Sequence, residues 1–140
     1  MSKEPNRANH KTLEQLEGQV WPEPDYDSYV VATIHRLRKK PLSDFTLEDQ
    51  RIMIGQGIGL PHLLPIVLDH LVQHPFAQGD FYPGDLLAAV IRVSDDFWAA
   101  NPDLRVKALA AVEAALKRIR KVETAPELKG ELLQAKTRLG

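Results

Sequence analysis

Residues 61–74 read PHLLPIVLDHLVQH, and their spacing decides the fold class. On a helical wheel Leu63, Leu64, Val67, Leu68, Leu71 and Val72 fill one broad arc, while His62, Asp69 and Gln73 share the opposite face. An arc this wide predicts the central helix of a bundle, entered at Pro61 or Pro65 and running to His74. Working outward, no segment alternates apolar and polar residues over the length of a strand, and no fixed-period repeat is present.

Helix boundaries on both sides are written in capping residues. Thr46 followed by Asp49 caps a helix from Leu47 to about Gly55, and Thr12 followed by Gln15 caps a short one over Leu13–Glu17 that Gly18 stops. Asp27 or Ser28 starts a helix to about Lys39 with Val30, Ile34 and Leu37 as its stripe, and Pro41 ends it. The prolines of Trp21-Pro22-Glu23-Pro24 keep that stretch extended. Downstream, the loop GDFYPGD (Gly79–Asp85) leads into a helix over about Pro83–Val93. Asn101-Pro102-Asp103 then opens a long helix to about Glu123, with Asn101 as its cap. Thr124-Ala125-Pro126 restarts a last helix that frays near Gly130. These signals predict an all-α fold: a single-domain bundle of six to seven helices, or stacked helix pairs, over residues 12–140, preceded by a flexible segment at 1–11.

Composition agrees with a folded body, since 44% of the 140 residues are hydrophobic and 26% charged. The chain has no cysteine, which removes disulfides, thiolate nucleophiles and Cys-based zinc sites. The polar start MSKEPNRANHK has no apolar core of a signal peptide, and no apolar run approaches transmembrane length, so a cytoplasmic location is expected and no membrane partner. Net charge is −1, but it is unevenly spread. Leu13–Asp96 carries −7 and Phe97–Gly140 carries +4, an acidic body with a basic C-terminal part. Such a body suits a partner of positive charge.

Candidate chemistry is thin. His70 and His74 have the spacing of a helical metal pair, but no third ligand accompanies them, and no metal or other cofactor is expected. Gly55, Gly57 and Gly59 lack the preceding strand and the third glycine of a dinucleotide fingerprint, because Leu60 stands in its place. A packing turn explains them better. Ser28 and His35 share a helix face without an orienting third group or oxyanion hole, and adjacent acids such as Asp95 and Asp96 are usually solvated; an enzyme is not expected. A helix-turn-helix also fails, because residues 62–74 contain no Lys or Arg to read bases. The basic run Arg36, Arg38, Lys39, Lys40 sits at a helix C-terminus, where cations are favoured in any case. What remains are aromatics among acids: Tyr26 and Tyr29 beside Asp25 and Asp27, Phe81 and Tyr82 between Asp80 and Asp85, and Phe97 and Trp98 after Asp95 and Asp96. Rings supply contact area at protein interfaces and carboxylates select a basic partner, so together they point to a partner-binding surface.

Three stretches, HRLRKKPLSDFT (His35–Thr46), RIMIGQGIGLPHLLP (Arg51–Pro65) and GDFYPGDLL (Gly79–Leu87), carry a resemblance to the immunity proteins of contact-dependent growth inhibition (CDI) systems. The similarity runs from about Leu13 to Val93, and the C-terminal third has no matching motif. The resemblance implies a small cytoplasmic antitoxin that binds the C-terminal toxin domain delivered by a neighbouring cell, often a nuclease, in a one-to-one complex and without catalysis. Nucleic acid is not the expected partner. On this reading the toxin-binding residues are Asp25, Tyr26, Asp27, Tyr29, Asp80, Tyr82, Asp85, Asp95, Asp96 and Trp98. The alternative is a nucleic-acid-binding or regulatory module that uses the basic C-terminal helices.

Overall fold

A computed structural model describes residues 9–23 and 28–140. The described residues form eight α-helices and no strand: α1 (Leu13–Glu17), α2 (Tyr29–Arg38), α3 (Leu47–Gly55), α4 (Leu60–Gln73), α5 (Asp85–Ile91), α6 (Asp95–Ala100), α7 (Pro102–Arg118) and α8 (Leu128–Leu139). Single 3-10 turns at Leu42–Asp44 and Ile119–Lys121 join them. The all-α expectation holds, with one helix more than the six or seven anticipated.

The additional element is α6. Its acid-aromatic sequence reads like an exposed loop, but the Ser94 hydroxyl accepts from the Phe97 N–H, and Asp95 and Asp96 occupy the electropositive first turn. That turns Trp98 inward to 2% exposure. Asn101 is then not the side-chain cap of α7. Its amide donates to the Phe97 carbonyl at 2.9 Å and closes α6 instead.

Elsewhere local signals act as read. Both capping boxes form, Thr12 with Gln15 and Thr46 with Asp49. Ser28 caps α2, and Pro61 falls in the first turn of α4, where a missing N–H costs nothing. Helix α8 runs unbroken through Gly130, because Leu128, Leu132, Ala135 and Leu139 are all buried along its inner face. Of the expected flexible segment, residues 1–8 lie outside the described residues, while the Lys11 carbonyl accepts from the Leu42 N–H at 3.0 Å.

One core joins the layers. Helix α4 buries Leu63, Leu64, Val67, Leu68 and Leu71 against α7 and α3, as its arc requires. The enclosed helix, however, is α5: every residue from Asp85 to Ile91 is buried, between α3 on one side and α8 on the other. A helix apolar around its circumference belongs inside, and DLLAAVI is one.

The basic run at the end of α2 is split: Arg36 and Lys39 stay exposed, while Arg38 and, in part, Lys40 turn inward. Arg38 is 1% exposed, pairs with Glu17, donates to the Gln19 carbonyl at 2.7 Å and lies 4.2 Å from the centre of the Trp21 ring. Lys40 pairs with Asp49 and Lys39 with Glu23. The guanidinium thereby straps the extended segment after α1 onto α2.

Two glycines of the α3–α4 turn need positive φ, Gly57 at 71° and Gly59 at 69°. A Cβ on Gly59 would also lie 2.7 Å from Leu13 Cδ1, a fully buried side chain, whereas one on Gly57 would meet nothing within 4 Å. Urea unfolding should therefore separate backbone strain from packing. Gly57→Ala should cost roughly 1 kcal/mol, the left-handed penalty alone. Gly59→Ala should cost roughly 1–3 kcal/mol more, by displacing α1 from the turn. Equal losses in the two variants would remove the packing role assigned to Gly59.

Candidate functional site

The surface that can do something is built around the loop from Gly79 to Gly84, between α3 and α5. Its backbone has no secondary structure to satisfy it, so side chains from both helices do so. The Asp85 carboxylate, at the first position of α5, accepts from the Gly79 N–H at 2.7 Å, the Phe81 N–H at 3.0 Å and the Tyr82 N–H at 3.4 Å. Glu48 of α3 accepts from the Asp80 N–H at 2.9 Å. Gly84 turns into α5 at φ 91°, with Leu128 of α8 so close that a Cβ there would lie 2.7 Å from it. Behind the loop, the Thr124 hydroxyl donates to the Pro83 carbonyl.

Of the two aromatics of this loop, Tyr82 is half-buried against the core and Phe81 points out. Phe81 stands 67% exposed, with the Arg51 guanidinium 4.5 Å from its ring centre. Arg51 is itself held by two hydrogen bonds to the Glu48 carboxylate. Phe81 forms the ridge between two depressions that share Arg51 and Gly55. The larger, about 450 Å³, reaches Tyr29 and Val30 of α2 and has Asp80 at its side. The smaller, about 300 Å³, runs over Tyr82 and Ala89 to Arg92.

Tyr29, Val30 and Phe81 matter together. Among the described residues six large hydrophobic side chains are exposed, and these three of the six line one depression. Scattered exposed apolar side chains are ordinary, but a contiguous group marks an interaction surface.

The structure treats the ten sequence-predicted contact residues unequally. Tyr29 and Asp80 come together at the larger depression. Tyr82 and Asp85 line the smaller one, Tyr82 half-buried against the core and Asp85 only 3% exposed and engaged with the loop backbone. Asp95 and Asp96 are exposed on α6, where Asp95 faces Arg138 of α8 at 3.7 Å. Trp98, on the same helix, is part of the core. Asp25, Tyr26 and Asp27 lie outside the described residues. Sequence reasoning left out Val30, Glu48 and Arg51. Val30 was absorbed into a core stripe and Arg51 into a packing turn, and only the spacing of Glu48 to Arg51 on one helix turn hinted at a pair.

His70 and His74 are exposed with ring centres 4.9 Å apart, and among the described residues no group of three or more His, Asp or Glu could hold a metal ion. No described helix is long and apolar enough to cross a membrane.

A family model of CDI immunity proteins matches residues 15–108, about two-thirds of the chain. The chain belongs to the CDI immunity family. No curated protein and no solved structure matches it. All ten predicted contact residues and both depressions of the immunity protein fall within the matched part. Thr124 and Leu128, which back the loop, and Glu131, which pairs with Arg92, lie beyond it.

Two carboxyls of α3, Glu48 at the site and Asp49 beside it in sequence, titrate low. Hydrogen bonds from Arg51, helped by the Asp80 N–H, hold Glu48 below the usual carboxyl range against its partial burial. Burial alone would raise Asp49, but the Lys40 ammonium and the Thr46 N–H and hydroxyl outweigh it and lower it. Arg51 is correspondingly raised by Glu48. A carboxyl depressed in the folded state takes up protons more readily once unfolded, so its stabilisation is complete above the unfolded value and is lost as pH falls through the folded one. The urea midpoint of this immunity protein should accordingly be steady above about pH 5 and decline below about pH 4. Glu48→Gln with Asp49→Asn should start lower and flatten that acid limb. An acid limb as steep in the double variant as in the wild type would assign the loss to other groups.

Proposed function

We propose that this immunity protein binds the C-terminal domain of its cognate CDI toxin, a nuclease, in a one-to-one complex and neutralises it by occupying its surface, with no catalysis of its own. The supporting observation is the concentration of exposed Tyr29, Val30 and Phe81 in one depression beside Asp80, inside the residues that carry the family match. A nuclease that receives a phosphate backbone is basic where it does so. A body carrying −7 over Leu13–Asp96 is attracted to such a face at long range. The rings then contribute desolvated contact that slows dissociation. Asp95 and Asp96 add exposed acidic charge on α6 in this reading, and Asp25, Tyr26 and Asp27 are kept as proposed contacts, while Asp85, Tyr82 and Trp98 serve it through the loop and core they hold in place.

A second reading is favoured by one observation. Lys117, Arg118, Arg120 and Lys121 are all exposed where α7 runs into its 3-10 turn, a cationic end that could contact nucleic acid phosphates. Co-expression separates the two. The chain should co-purify with its tagged cognate toxin domain and restore growth of the producing cell, and the association rate should fall roughly tenfold or more from low to high salt. It should bind neither DNA nor RNA oligonucleotides with a steep salt slope. A toxic domain that is neither bound nor neutralised would defeat the proposal, and tight oligonucleotide binding would replace it with the second reading.

A further inference from the structure

The larger depression has the chemistry of a slot for one long basic side chain. Its walls, Tyr29, Val30, Ile52 and Phe81, suit an aliphatic stem, and about 450 Å³ is ample for one. Its charges are unequally committed. Glu48 is fully engaged by Arg51 and the Asp80 N–H, so this carboxylate and this guanidinium answer each other. Asp80 is exposed at the same slot; Arg51 senses its charge across the slot, but no described cation lies within salt-bridge distance of its carboxylate. Phe81 shows the third feature: Arg51 already lies against its ring, and the ring is still 67% open to solvent.

From this combination, and resting on the toxin-binding reading above, we infer that the slot receives an arginine of the toxin, its stem between Tyr29 and Phe81 and its guanidinium on the Asp80 carboxylate. Arginine fits better than lysine because a planar guanidinium stacks on a ring and meets a carboxylate with two parallel hydrogen bonds. An apolar side chain would fill the walls but leave Asp80 desolvated without a partner, which disfavours it. The slot differs from a general acidic patch in requiring ring and carboxylate together.

The test is a titration of the cognate toxin domain against the full-length immunity protein and its variants. Asp80→Asn and Phe81→Ala should each weaken binding about tenfold to a hundredfold, with an unchanged thermal midpoint for Asp80→Asn and a small drop for Phe81→Ala, which also loses the Arg51 contact. Phe81→Trp should keep most of the affinity, and Val106→Ser, at an exposed residue away from the slot, all of it. Asp80→Arg should abolish binding, and one toxin arginine changed to Asp should restore it. Wild-type affinity in both Asp80→Asn and Phe81→Ala would overturn the slot while leaving the toxin-binding reading intact. Rescue of Asp80→Arg by a lysine change, and by no arginine change, would overturn the arginine assignment. A wild-type protein that fails to bind its toxin would remove the reading itself, and the slot with it.

Discussion

A helix buried on every side has to be entered through a turn whose polar groups find partners inside the protein, and Asp85 is where that constraint is met. Its carboxylate lies at the electropositive start of α5 and takes three backbone N–H groups of the preceding loop at once. Without such an acceptor those donors would have to turn to water or the loop would have to rearrange. The loop therefore has one shape rather than many. Glu48 pins it from α3, and Leu128 and Thr124 back it from α8 and the segment before it. The outward position of Phe81 follows from these anchors, so a buried acid is what holds an aromatic out in solvent. Binding through a loop already ordered costs less conformational entropy than binding through one that must settle.

The same constraint explains which parts of the fold and site could be read from the sequence. Capping boxes act over three residues, so Thr12–Glu17 and Thr46–Gly55 were legible, as was the apolar arc of α4 except for Val72, which is only half-buried. Side chains whose partners are distant in sequence were not. Arg38 looks like one cation of a surface run until Glu17 and Trp21 are brought against it by the strap that follows α1. Asp85 and Asp80 look alike as acids flanking an aromatic pair, yet one is 3% exposed and holds backbone while the other faces solvent. Trp98 was read as a surface ring because Ser94 was not recognised as a cap. Once α6 forms, its helical register sends that ring inward. Aromatic-acid composition thus marked the right neighbourhood and assigned the wrong exposure to several of its members.

Charge needs a location as well as a value. The 13 acids of Leu13–Asp96 stand against six cations, which leaves −7, and they are not equivalent: Asp49 and Asp85 are buried, and Glu17, Glu48 and Asp49 each answer a cation at close range. A paired carboxylate contributes little to the field a partner senses, whereas an unpaired one at a rim contributes at full range within a Debye length, about 8–10 Å. The acids that steer are therefore fewer than the count suggests, and Asp80 gains weight because it adjoins the only exposed aromatic pair, Tyr29 and Phe81, among the described residues.

The boundary of the family match adds a last step. It ends at residue 108, within α7, yet the protein does not divide there. Helix α8 covers the far side of α5, Glu131 pairs with Arg92 at one end of the groove, and the Thr124 and Leu128 contacts reach the loop itself. Removing the C-terminal segment would expose a helix that is buried on every side, so the matched region needs a covering element. A covering helix constrained only to be apolar on its inner face, with Leu128, Leu132, Ala135 and Leu139 here, can change sequence readily while keeping its role. The C-terminal third lies beyond the family match and still fixes the shape of the surface in front of it.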